Sequence, residues 1–157
     1  MSGWNAGAVH LLETLTDSMA GYDHVGEHAH RFGFYAFCEH HATERAQLLH
    51  SYRRLMEMRA GQAERHGSIL GTAHRLFLDF RAALSSGDLA VIEELIRGES
   101  FLASRIDRLL EQEDTPQDIA SLGRTLRAHV SQSLLDLQAM QDHARQGQNA
   151  KAFRPFS

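Results

Sequence analysis

From Met1 to Thr115 the chain contains no proline; Pro116 and Pro155 are its only two. Proline interrupts helices reliably, because it lacks an N–H and its ring clashes with the preceding turn. A stretch this long without one leaves room for long helices, and the apolar residues say where they lie. Leu11, Leu12, Leu15, Met19, Tyr22, Val25 or Gly26, and Ala29 recur at three- and four-residue steps. That spacing predicts an amphipathic helix over about residues 5–30. A second helix over about 34–59 carries the stripe Phe37, His41, Glu44 or Arg45, Leu48, Tyr52 and Leu55, with Gly61 as its stop.

A shorter helix is expected over about 68–84, with Leu70, Phe77 and Phe80 on one side. "SSGD" (85–88) then breaks the chain, and Asp88 is placed to cap a helix over about 89–112 through Ile92, Leu95, Ile96, Glu99, Leu102, Ile106 and Leu109. "EDTPQD" marks the next boundary, with Thr115 as N-cap and Pro116 in the first turn. The last helix is expected to continue to about Arg145 through Leu122, Leu126, His129, Ser133, Leu137 and Met140. No segment reads as strand. The expected fold is all-α: a single-domain, ferritin-like four-helix bundle over residues 1–145, with a helical crossover between the second and third bundle helices. Residues 146–157 are expected to form a flexible tail. The rival architecture is an up-down bundle with a fifth helix packed outside.

Composition narrows the function classes. Of 157 residues 43% are hydrophobic and 23% charged, ordinary for a folded domain, and the net charge of −4 offers no basic face for nucleic acid. No apolar run approaches the ~20 residues of a membrane span, and the first residues lack the basic and apolar regions of a secretory signal. Cys38 is the only cysteine, which excludes an intrachain disulfide and fits a reducing cytoplasm. The eleven histidines are about three times an ordinary share. They are the one compositional hint of chemistry.

In a crossover bundle the second and third long helices run parallel, so residues equally far along them share a height. Glu44 and Glu99 each lie about eleven residues in, at a height of roughly 16 Å on a rise of ~1.5 Å per residue, and His129 falls near the same level. Arg45, His41, Asp17, Tyr22 and His24 are expected around them. A carboxylate isolated in an apolar core is costly, so each needs a partner. One such partner is a metal ion (iron, manganese or zinc), with Glu44, Glu99 and His129 as ligands and His41, Asp17 or His24 as further ones. The other is Arg45, paired with Glu99 or Asp17 in a hydrogen-bonded network that includes Tyr22. Arg45 weighs against a metal, since a fixed cation repels another. So does the spacing: di-iron bundles use Glu-x-x-His, whereas Glu44 is followed at that offset by Gln47 and His129 is preceded by Leu126.

Taken together, Asp17, Tyr22, Glu27, "ERAQL" (44–48), "HGSILGTAHR" (66–75), "SGD" (86–88) and "RGES" (97–100) resemble a bacterial ferritin-like four-helix-bundle family of unestablished function. The resemblance spans residues 11–145 and implies the ferritin-like topology, without an activity. The chain departs from that pattern in His24, His40, His41, His50 and Ser100. His24 and His28, one helical turn apart, could chelate a metal at the surface; His28, His30, His40 and His50 otherwise read as solvated. No strained nucleophile turn and no phosphate-binding loop is present. The leading reading is a non-enzymatic structural or interaction protein, as a monomer or a homodimer. The competing one is a metal-binding or oxidoreductase-like bundle.

Overall fold

The computed structural model describes residues 3–28, 35–60 and 87–152. They form four helices: α1 (Gly3–His28), α2 (Tyr35–Ala60), α3 (Asp88–Glu111) and α4 (Gln117–Ala152), with no strand among the described residues. The shorter helix expected over 68–84, the Gly61 stop and the 66–75 motif lie outside those residues.

Each helix packs on two neighbours. α1 lies against α2 and α3, and α4 against α3 and α2, so the helices form a ring in the order α1–α2–α4–α3. Contacts along the axes give the directions. A Cβ at Gly3 would stand 2.7 Å from Gln112 Oε1, and one at Gly7 would stand 3.8 Å from Leu109, so α1 runs antiparallel to α3. Arg59 near the end of α2 bonds Asp118 at the start of α4, and His41 meets Ser133 further along, so these two are also antiparallel. Tyr52 bonds Ala8 and Arg45 bonds Ser18, so α1 and α2 are antiparallel as well, and α2 and α3 point the same way. In keeping with this, Cys38 shares a core cluster with Val91 and Ile92, and Met56 shares the other with Ile106 and Leu109.

The apolar core is in two parts. One, from Leu11 and Leu15 to Leu109 and Ile119, fills the end near the α3–α4 turn. The smaller one, around Tyr22, Val25, Leu95 and Leu137, fills the opposite end. Between them Arg45, Glu99, His41 and Ser133 are buried. That polar layer is where the chemistry of the chain is concentrated.

The helix ends differ from the sequence expectation in three places. Asp88 is not the cap of α3; it is its first residue, and the cap position is held by Gly87 at φ +108°, a left-handed conformation that side-chain-bearing residues rarely adopt. Thr115 does not cap α4. Its hydroxyl turns back and donates to the Leu109 carbonyl at 2.8 Å, closing the end of α3, while the Pro116 carbonyl accepts from Ala120 to start α4. Finally α4 continues past Arg145 to Ala152, since no proline occurs before Pro155 and alanine and lysine favour helix.

The inner stripe of α2 is also shifted. Its buried positions are Cys38, His41, Arg45, Leu49, Tyr52 and Met56. Leu48 and Leu55, expected to face inward, lie on the flank and are only partly buried. Neighbouring residues on a helix point about 100° apart, and the ambiguous Glu44-or-Arg45 position resolves with Arg45 inside.

Candidate functional site

The middle layer holds two adjacent centres. In the first, Arg45 of α2 faces Glu99 of α3 in a bidentate pair, Nη1 to Oε1 and Nη2 to Oε2 both at 2.7 Å. Their side chains are 0% and 3% exposed, so water does not share in the contact. Nη1 also donates to Ser18 Oγ of α1, and the guanidinium carbon lies 5.4 Å from the centre of the Tyr22 ring. Burial pulls the Arg45 pKa down, but the hydrogen bonds and charge of Glu99 outweigh it, and the net shift is upward. Burial, followed by the charge of Glu99, likewise pushes the Tyr22 hydroxyl well above its usual range. Arg45 thus stays a cation and Tyr22 stays protonated.

The second centre lies at the α2–α4 seam. His41, Glu44 and His129 each present a ligand-type atom, and these atoms lie within 4.8 Å of one another. Glu44 Oε2 stands 3.2 Å from His129 Nδ1, while Glu44 Oε1 stands 3.0 Å from Nε2 of His40 at the surface. His41 Nδ1 is 3.0 Å from Ser133 Oγ and its Nε2 is 3.7 Å from Asp136 Oδ2. Aromatic rings wall the inner side: the Phe37 ring centre is 4.1 Å from that of His41, and Tyr22 stacks on it at 6.0 Å. Desolvation, then the Arg45 charge, lowers the pKa of both imidazoles, that of His129 to about 4. Both rings are therefore neutral near pH 7.

The residues singled out in the sequence thus fall into separate places. Glu44, His41 and His129 come together. Glu99 goes to Arg45, and Glu44, with its side chain 45% exposed, reaches the seam from the flank rather than the centre. Asp17 on α1 is buried but joins neither group: Arg45 bonds the adjacent Ser18, and Asp17 Oδ1 has no hydrogen-bond partner among the described residues. Desolvation, with the nearby Glu13 adding to it, raises the Asp17 pKa to about 6. The His24 side chain lies outside what the structure describes. Sequence reasoning missed Ser18 as a partner of Arg45, and it placed Ser133 on the inner stripe of α4 without assigning it a role. A small hydroxyl on an inner stripe was the available signal, since it must find a partner when buried. Cys38 is fully buried, and desolvation raises its thiol to about 12, so it is not a nucleophile.

A family model described as a domain of unknown function, DUF2383, matches residues 9–112. The chain belongs to that family. Neither a curated protein nor a solved structure matches it. In this DUF2383 chain the match covers most of α1 together with α2 and α3, and hence the whole Arg45–Glu99 pair with Ser18 and Tyr22. His129, Ser133 and Asp136 come from α4, outside the matched residues. Among the described residues of the DUF2383 chain, no helix is long and apolar enough to cross a membrane.

Proposed function

We propose that the chain is a ferritin-like four-helix bundle that acts as a non-enzymatic structural or interaction module, working in the cytoplasm as a monomer or homodimer. The ferritin-like topology is supported by the parallel course of α2 and α3, since consecutive bundle helices of an up-down bundle run antiparallel. The non-enzymatic reading rests on one observation above all, the Arg45–Glu99 pair. At the level where carboxylate-bridged bundles hold two metal ions, this chain places a guanidinium that takes both oxygens of Glu99. The pair neutralises itself, is shut off from water, and leaves neither oxygen of Glu99 free for catalysis.

The test is ferrous-ion oxidation by the purified, tag-free protein, followed as oxygen consumption. The expected result is a rate equal to that of the buffer. A catalysed rate that disappears in Glu99→Gln would overturn the reading. Light scattering across a concentration series decides between monomer and homodimer.

A further inference from the structure

We infer that His41, Glu44 and His129 form a binding site for one divalent transition-metal ion of the zinc type, lodged in the α2–α4 seam and separate from the Arg45–Glu99 pair. This goes beyond the scaffold reading above and does not depend on it, because a bound ion here leaves the central ion pair intact.

Two nitrogens and one oxygen from a carboxylate suit zinc and its neighbours, and leave a fourth position for water. Ligands around a tetrahedral zinc, bound at ~2.0–2.1 Å, stand roughly 3.3 Å apart. The Glu44 Oε2 to His129 Nδ1 separation of 3.2 Å already matches, and the 4.8 Å that bounds the set closes with small rotamer changes. His41 and Glu44 sit at i and i+3 on one turn of α2, so they face one point together.

The pairing of His129 with Glu44 carries the argument further. The His129 side chain is 9% exposed, and its Nε2 is buried with no hydrogen-bond partner among the described residues. A neutral imidazole has one N–H and one lone pair. If Nδ1 holds the proton and donates it to Glu44, the lone pair on Nε2 has no donor. If Nε2 holds it, the lone pair on Nδ1 faces the Glu44 carboxylate at 3.2 Å, where two electron-rich atoms repel. Only the second tautomer turns a lone pair toward Glu44, and a cation held between Nδ1 and Oε2 would replace that repulsion with two bonds.

The surroundings are those of a ligand set rather than of stray surface groups. Ser133 Oγ can accept from His41 Nδ1–H, which turns the Nε2 lone pair outward, and His40 can donate to Glu44 Oε1 and leave Oε2 for the ion. The half-exposed Glu44 provides the entry path. Arg45 stands nearby, and the Glu99 carboxylate paired with it offsets part of its charge.

Titration calorimetry of Zn²⁺ into tag-free, chelator-treated full-length protein reads the site directly. One equivalent should bind, and Glu44→Gln or His129→Ala should each weaken it by at least about tenfold. His50→Ala and His24→Ala should leave it unchanged. Glu44 is half-exposed, so Glu44→Gln is expected to fold normally, and circular dichroism of each variant checks this. With Co²⁺ as a second probe, the wild type should give tetrahedral visible bands that Glu44→Gln loses. Absence of saturable binding, binding that survives both ligand substitutions, or binding lost with His24→Ala or His50→Ala would each overturn the assignment. Zinc binding at this seam leaves ferrous oxidation unaffected, so this proposal and the scaffold reading fail by different measurements.

Discussion

Replacing Arg45 by leucine tests the physical account of the centre most sharply. Glu99 receives both of its 2.7 Å hydrogen bonds from that one guanidinium, and at 3% exposure it has no water to replace them. Removing one member of a buried pair strands the other charge, which costs about 3–5 kcal/mol. The lost hydrogen bond to Ser18 and the lost contact over the Tyr22 ring push toward the upper end. For a domain of this size the loss corresponds to a melting temperature lower by about 6–20 °C. Urea unfolding followed by circular dichroism measures it, with an unchanged m-value as the check that both states keep their compactness. The double replacement Arg45→Met with Glu99→Leu removes both charges and fills the space with apolar atoms. It should be more stable than Arg45→Leu by at least about 2 kcal/mol, because desolvating the intact pair is itself expensive. Arg45→Leu within about 0.5 kcal/mol of wild type, or a double variant whose cost is the sum of Arg45→Met and Glu99→Leu measured separately, would refute the argument.

Three further outcomes follow from other residues. Burial raises the Asp17 pKa to about 6, above the roughly 3.9 of an unfolded chain, so the folded state holds the extra proton between those values and stability falls as pH rises through them. Asp17→Asn should therefore stabilise the protein at pH 7 by on the order of 1–3 kcal/mol, with the gain vanishing below about pH 4; equal effects at both pH values in urea melts would contradict it. Tyr52 is fully buried and its hydroxyl donates to the Ala8 carbonyl at 2.6 Å, tying α2 to α1, so Tyr52→Phe should cost about 1 kcal/mol in the same assay, and no loss would mean the bond is not formed in solution. A Cβ at Gly98, inside α3, would meet nothing within 4 Å, and Gly98→Ala should raise stability by about 1 kcal/mol through helix propensity alone; a destabilised variant would show that the position is packed.

The helices were legible in the sequence because what makes them is local. The proline-free run, the three- and four-residue spacing from Leu11 to Tyr22, and the break at "EDTPQD" act within a turn or two of the chain, and the described helices begin and end close to where those signals put them, except that α4 runs past Arg145 to Ala152. The tertiary structure alone chose between Glu44 and Arg45 at the polar layer. Adjacent residues differ by about 100° in direction and only ~1.5 Å in height, so the rotation of α2 about its own axis sets which of them faces Glu99. The same rotation set Leu49 and Met56 inside instead of Leu48 and Leu55, and aimed Glu44 at His129 across the seam. Periodicity names the face of a helix to within about a residue; the partner of each charge is decided by how four such faces lock together, because a buried carboxylate is stable only where a cation meets it, as Arg45 meets both oxygens of Glu99.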